Sequence, residues 1–370
     1  MREIQTVEEL EAHVAHIGGL ANVVIQGVDL SAHTELLLSV SCADAVFLGA
    51  SLAPEALAHV FADGAVAFPR IPDLPFDVYR PRLYAQHELF SGWVAGCDGS
   101  FADSADSKIY RWAARHPKGP HLPIVDALAQ RLHDHAIDDA LGEHLESHPD
   151  VVAVMGGHGM LRDQSMYETV AELGRSMARV GWHVATGGGP GAMEAANLGA
   201  WLAPYDDAAL GAALDLLAKA PDFHHVDSYL TASQAVLDKF PEGSESLAVP
   251  TWFYGHEPTN RFATHIAKYF ANSIREDGLL AIATRGVVFA PGAAGTTQEV
   301  FQDATQNHYA VFETVSPMVF LGSRHWQHDL PAEPLLRRLA EGRPYADLIG
   351  VADTAPGVMD FLLRHQPTDG

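Results

Sequence analysis

Three glycine-rich turns carry the residues in this sequence best suited to chemistry. Gly187-Gly188-Gly189-Pro190-Gly191 runs into Ala192-Met193-Glu194, and Pro291-Gly292-Ala293-Ala294-Gly295 runs into Thr296-Thr297-Gln298-Glu299. Glycines let backbone N–H groups approach an anion with no Cβ in the way, and a helix starting directly afterwards turns its positive end toward that anion. In the later turn, two threonine hydroxyls join the free amides of a helix start, the makings of a phosphate cradle, with Glu299 one helical turn further in. The remaining turn, first in chain order, is Gly156-Gly157-His158-Gly159. There Gly157 is a candidate anion contact, and His158 either hydrogen-bonds a phosphate or is a plain turn residue. Blander readings stand beside these. Dense glycines also permit a close strand-to-helix crossing, and Thr296-x-x-Glu299 has the spacing of a capping box, in which Glu299 would merely accept from the Thr296 N–H.

Taken together and in this order, Gly187–Glu194 and Pro291–Glu299 resemble the paired GGGxxGxM and PGGxGTxxE signature of the LOG family. These are nucleotide 5′-monophosphate phosphoribohydrolases, once labelled lysine decarboxylases. The likeness covers roughly Val151 to Gly322, and the additional N-terminal part is similar to that of the longer bacterial nucleosidases. What the resemblance implies is a hydrolase that cleaves the N-glycosidic bond of a nucleoside 5′-monophosphate to free base and ribose 5-phosphate. It implies Glu299 as the catalytic carboxylate and places the family's arginine at Arg275, with Arg261 as the fallback. It implies that Gly292, Gly295, Thr296 and Thr297 hold the 5′-phosphate, while Gly188, Gly189 and Met193 line the ribose and base. A homodimer or higher homo-oligomer, associating through long helices, is implied as well. Two positions depart from the pattern: Ala293 stands at the second glycine of the later motif, and Gln298 replaces the penultimate acid. The alternative is a non-catalytic nucleotide-binding or molybdenum-cofactor carrier protein on the same fold.

The chemistry suits one carboxylate. Cleaving the bond passes through an oxocarbenium-like state that a nearby carboxylate stabilises, and the same group can orient and deprotonate water. The reaction calls for no cofactor and no metal. A pyridoxal Schiff base is a poor fit, because Lys108, Lys118, Lys219, Lys239 and Lys268 all lie outside the glycine turns. No Gly-x-Gly-x-x-Gly opens the first strand-helix unit, which argues against a nicotinamide cofactor.

The turns need strands and helices to aim them. The apolar runs Val151–Gly156, Trp182–Thr186 and Gly286–Ala290 read as strands that end at the three turns, and Ser246–Tyr254, Pro317–Gly322 and Leu348–Ala352 read as further strands. Ser165–Val180 has helical spacing, with Met166, Val170, Leu173 and Met177 on one face. The expected fold class is α/β: a doubly wound Rossmann-like parallel sheet with a smaller N-terminal α/β module. In that module, Thr6-Val7-Glu8-Glu9 starts a helix by a capping box. Asn22–Gln26, Ala45–Gly49 and Ala65–Pro69 read as strands, and Pro54 opens another helix. Ile71 to Phe101 is irregular and rich in proline and aromatics. His116-Pro117-Lys118-Gly119-Pro120 is the linker candidate, dividing the chain into 1–118 and 119–370, and a long helix follows from Leu122 to Leu145.

Composition narrows the partners. The chain has 370 residues, with 23 Lys+Arg against 47 Asp+Glu for a net charge of −24. Such an acidic chain is a poor match for a nucleic-acid backbone or an anionic membrane, and so for the DNA-loading proteins of this fold class, yet a small nucleotide needs only a few local donors. Cys42 and Cys97 are the only cysteines, so no disulfide framework or sulfur-based zinc site is expected. No apolar run reaches the ~18 residues of a membrane span and no leader is evident, so a soluble cytoplasmic protein is the default expectation. Among the 21 histidines, His133, His135, His144 and His148 fall on one predicted helix, and His144 and His148 share a face. With no third ligand evident, these are read as solvent-facing. His224 and His225 read as polar loop groups, and His256, after a strand end, as a loop residue within reach of substrate.

Overall fold

Strand and helix alternate from the first residues onward. β1 (Arg2–Ile4), α1 (Val7–Ile17), β2 (Val23–Gln26), α2 (Thr34–Leu38), β3 (Val46–Leu48), α3 (Pro54–Ala62) and β4 (Val66–Phe68) build a four-stranded parallel sheet in chain order. The local signals act as written. Thr6 Oγ1 accepts from the Glu9 N–H and the Glu9 carboxylate accepts from the Thr6 N–H, each at 3.2 Å, while Pro54 opens α3. Ile4, Leu10, Val23, Ile25, Phe47 and Val60 are buried in one core between sheet and helices. The chain continues through α4 (Gln86–Leu89), α5 (Ala105–Ala113) and the long α6 (Ile124–Glu146).

The second sheet is larger. Its elements are β5 (Val151–Met155), α7 (Ser165–Arg179), β6 (His183–Thr186), α8 (Ala192–Trp201), α9 (Asp207–Leu217), α10 (Val226–Lys239), β7 (Leu247–Ala248), β8 (His265–Ile266), α11 (Asn272–Ala281), β9 (Gly286–Phe289) and α12 (Ala294–Tyr309). There follow β10 (Thr314–Val315), β11 (Met318–Leu321), α13 (Ala332–Ala340), β12 (Ile349–Ala352), α14 (Ala355–Arg364) and β13 (Thr368–Asp369), of which β10 and β13 form a separate antiparallel pair. The seven strands of the sheet run parallel in the order β12-β11-β9-β5-β6-β7-β8. From β5 the chain winds outward through β6, β7 and β8, then returns to the other side of β5 for β9, β11 and β12. The direction therefore reverses between β5 and β9. In open parallel sheets the crevice at the carboxyl ends of such a switch point is where ligands bind. This is a doubly wound, Rossmann-like α/β fold.

This computed structural model describes residues 1–115, 122–312 and 314–369. The linker candidate His116–Pro120 lies outside the described residues. By compactness the chain groups into one unit of residues 1–83 with 114–141 and another of residues 84–113 with 142–370, where the sequence places one division at 118/119. The strand expected over Ser246–Tyr254 is shorter. β7 ends at Ala248, because Pro250 has no N–H for the ladder, and a single bridge between Thr251 and Tyr269 continues the pairing beyond it.

Candidate functional site

The three glycine turns leave the carboxyl ends of the adjacent strands β9, β5 and β6, and backbone bonds tie them together. The Gly157 N–H donates to the Pro291 carbonyl (3.0 Å), and the Ala192 N–H donates to the Gly157 carbonyl (3.2 Å). Gly191 and Gly292 are among the positions that demand glycine. Gly191 has φ +71°, and a Cβ there would overlap the Gly157 carbonyl oxygen, while a Cβ on Gly292 would overlap the Thr296 hydroxyl. The second turn is braced from beneath. The Gly188 N–H donates to Thr186 Oγ1 (3.0 Å), its carbonyl accepts from the Asn260 N–H (2.8 Å), and the Gly189 N–H points at Met193 Sδ (3.4 Å). Thr186, Asn197 and Asn260 join in a buried network through the Asn197 side-chain carbonyl, which accepts from the Thr186 hydroxyl (2.7 Å) and from Asn260 Nδ2 (3.0 Å). The amides of Gly157 and Gly188 are thus taken up within the protein.

Helix α12 starts at Ala294, so Thr296 is its third residue and not its cap. The capping box read from Thr296-x-x-Glu299 therefore does not form, and the N-cap residue, Ala293, offers no side-chain cap. Its first-turn amides, including those of Gly295 and Thr296, have no carbonyl within the helix to bond. Thr296 is buried, and the Thr297 hydroxyl donates to the Ala293 carbonyl (2.9 Å). A side chain on Gly295 would meet only open space. Ala293 has φ −116°, outside the left-handed region, so alanine stands at the glycine position of the motif without backbone strain.

Freed from capping, Glu299 turns to Arg275. The Glu299 side chain is 11% exposed, and its Oε1 lies 3.4 Å from Arg275 Nη1. Arg275 Nε donates to the Val249 carbonyl (2.9 Å), and its Nη2 shares with Met193 Sδ the space where a Gly187 side chain would lie. One arginine thus links the second turn to the acid of the third. Burial pushes the Glu299 carboxyl above its ordinary range, Arg275 pulls it back, and the neighbouring Glu276 pushes it up again. Gln298 donates to Glu276 (2.8 Å), a bond a carboxylate at 298 would replace with repulsion. Arg261 is placed elsewhere: it bonds Gln86 and Gln234 and lies over the rings of Phe90 and Trp93, not on an open helix face.

On the rim, His158 Nδ1 lies 3.1 Å from Glu257 Oε1, and that hydrogen bond raises the imidazole's pKa. His325 Nε2 lies 3.0 Å from the Gly292 carbonyl, beside the third turn. Sequence reasoning missed His325, Asn260 and the Tyr254–Glu276 pair (3.4 Å), which come from distant segments with no local pattern. It also missed Glu194, although the acid is in plain sight after Met193. Wholly buried, Glu194 receives two bonds from Arg162 (2.8 and 2.6 Å) and one each from Tyr167 (2.8 Å) and Tyr229 (2.6 Å). Three histidine expectations are also corrected. His133 is wholly buried on α6, with Nδ1 3.3 Å from Asp134 Oδ1, and does not face solvent. His256 is stacked between Phe101 and Tyr110, with Nε2 3.8 Å from the buried Asp106. His144 and His148 are half-buried and meet His183, not open solvent.

A model of the SLOG cluster4 family matches residues 150–204, which contain the first two glycine turns and α8. No curated protein matches the chain. Among solved structures, the chain is similar to the molybdenum cofactor binding protein of the phototrophic bacterium Rippkaea orientalis, at 15% identity and a TM-score of 0.35 over 58% of this chain and 95% of that one. It is similar also to the molybdenum cofactor carrier protein of Chlamydomonas reinhardtii, at 17% identity and a TM-score of 0.35 over 58% and 99%. A third is the structural genomics target TM1055, at 17% identity and a TM-score of 0.37 over 58% and 99%. Among the described residues no helix is long and apolar enough to cross a membrane.

Proposed function

We propose that this chain hydrolyses nucleoside 5′-monophosphates to free base and ribose 5-phosphate. The observation that carries the reading is the pairing of Glu299 with Arg275 at the switch-point crevice, where the acid of one glycine turn is held by an arginine packed against another. The first-turn amides of α12 receive the 5′-phosphate, with the Thr296 and Thr297 hydroxyls beside them. Gly189 and Met193 face the ribose and base, and His158 closes the rim. As the C1′–N bond breaks, its electron pair leaves with the base, which takes up a proton from solvent. The cationic sugar is stabilised by the Glu299 carboxylate, which accepts a proton from the attacking water as the new C1′–O bond forms. The likeness of residues 150–204 to the SLOG cluster4 family and the LOG-like motifs support a nucleotide ligand.

The test is a panel of purine and pyrimidine monophosphates assayed chromatographically for free base, run with wild type, Glu299→Gln and Arg275→Gln. Glu299→Gln is expected to lower kcat by roughly 10²–10⁴-fold while binding persists. Because protonated Glu299 can neither accept the water proton nor stabilise the cation, wild-type turnover should fall on acidification, at a pH above the ordinary carboxylate range. Release of no base by wild type from any monophosphate, at any pH from acid to neutral, overturns the proposal. A second reading, a nucleotide or molybdenum-cofactor binding protein that cleaves nothing, is favoured by Gln298: its bond to Glu276 leaves the cleft with Glu299 but without the motif's other acid. Ligand recovered intact after prolonged incubation would select it.

A further inference from the structure

At the opposite ends of the strands, histidines converge. His144, in the last turn of α6, and His148, just beyond it, are one helical turn apart, and His183 is the first residue of β6. Ligand nitrogens of these three imidazoles all lie within 4.8 Å of one another, and His144 Nε2 is 3.1 Å from His183 Nε2. His265, at the start of β8, packs its ring 4.2 Å from that of His144. Four imidazoles meet here with one adjacent carboxylate, Glu245, whose Oε2 lies 3.0 Å from His148 Nε2.

Such a cluster is awkward as a hydrogen-bond network, because a neutral imidazole has one donor and one acceptor and the converging nitrogens compete for few protons. It is natural as a coordination shell. Nitrogens bound to one tetrahedral ion at about 2.0–2.1 Å stand about 3.3 Å apart, close to the spacing of His144 and His183. His148 is also oriented as ligating histidines usually are: with Nδ1 donating to the His144 carbonyl at 3.0 Å, Nε2, which faces Glu245, carries the lone pair that coordinates. An open cavity of about 580 Å³, lined by His148, Asp150, His183 and Glu245 among others, gives an ion a way in. The other grouping of metal-type side chains among the described residues, Cys42, His59 and Asp63, is already engaged: Asp63 accepts from Ser41 and the Cys42 N–H, and His59 bonds the Val40 carbonyl.

We propose that His144, His148 and His183 bind one divalent transition-metal ion of the zinc class, with Glu245 as the fourth ligand. Imidazole-rich sets of this kind suit Zn²⁺ and its neighbours over Mg²⁺ or Ca²⁺, which take oxygen donors.

The experiment is calorimetric titration of the chelator-stripped full chain with Zn²⁺, paired with visible absorption after Co²⁺ loading. Wild type should take up one tightly bound ion and show the intense d–d bands of tetrahedral Co²⁺. His183→Ala should lower Zn²⁺ affinity at least by the 10–100-fold that losing a supporting second-shell contact costs. Since His183 is buried, His148→Ala, at the rim, is the variant for which circular dichroism should match wild type while affinity falls equally. His135→Ala, elsewhere on α6, should leave affinity unchanged. Failure of wild type to take up a stoichiometric ion, or wild-type affinity in His148→Ala, overturns the proposal.

Discussion

Asp303 lies one turn beyond Glu299 on α12, buried, and its Oδ2 meets no hydrogen-bond partner among the described residues. Burial alone pushes this carboxyl well above its ordinary range. A carboxyl raised in the fold binds a proton there that the unfolded chain has already released. Its contribution to stability is therefore full below the unfolded pKa and is lost as pH rises toward the folded value. Asp303→Asn keeps the shape and removes the titration. It is expected to raise Tm by a few degrees at pH 8 and to leave it unchanged at pH 4, as scanning calorimetry at the two pH values will show. Glu299, also buried, differs in having Arg275 within reach, whose charge pulls its carboxyl back down. At this scale the sequence is legible only in part. The spacing of Thr296 and Glu299 fits a capping box and a catalytic turn equally well, and what excludes the capping box is a helix start two residues earlier than the threonine. The partner of His144 and His148 is likewise invisible to helical periodicity, because it arrives on a strand.

The elements around the crevice are fastened by buried charge. Glu194, in the first turn of α8, receives Arg162 from the segment after β5, Tyr167 from α7 and Tyr229 from α10, so four pieces of chain meet on one carboxylate. Burial disfavours the Arg162 charge, and the facing carboxylate more than offsets it. Removing one member of such a pair strands the other in a dry environment, at a cost of about 3–5 kcal/mol. Glu194→Gln should therefore lose that much in urea unfolding, and the glycine turns should loosen together because Gly191 and Ala192 adjoin the lost tie. The strands β5, β6 and β9 were readable in advance, since an apolar run ending in glycine is a local signal. β8 was not, for its two residues gain their identity only by pairing with β7, and the bond from Lys268 to Asp106 (2.7 Å) joins segments too far apart for any spacing rule.

Across the whole molecule, the net charge of −24 sets what the surface attracts. Phosphate backbones bind through cation patches that release counterions, and this chain has twice as many acids as bases. Fluorescence anisotropy with labelled single- and double-stranded DNA should show no binding at micromolar protein in 0.1 M salt, while a mononucleotide, met by backbone amides instead of a basic face, is unaffected by that rule. The two-sheet plan was foreseeable from alternating strands and helices, whereas the grouping of residues 84–113 with the larger unit depends on tertiary contacts such as the bonds from Gly99 and Phe101 to Asp227 (2.8 and 2.9 Å). One short strand joins the two chemistries proposed above. β6 begins at His183 and ends at Thr186, whose hydroxyl receives the Gly188 amide, so imidazoles and glycine turn sit at opposite poles of a rod roughly 10 Å long. At that span a coordinated ion lies beyond bonding reach of the sugar, and chelation should leave turnover intact while softening the rod, visible as faster deuterium uptake at its backbone amides.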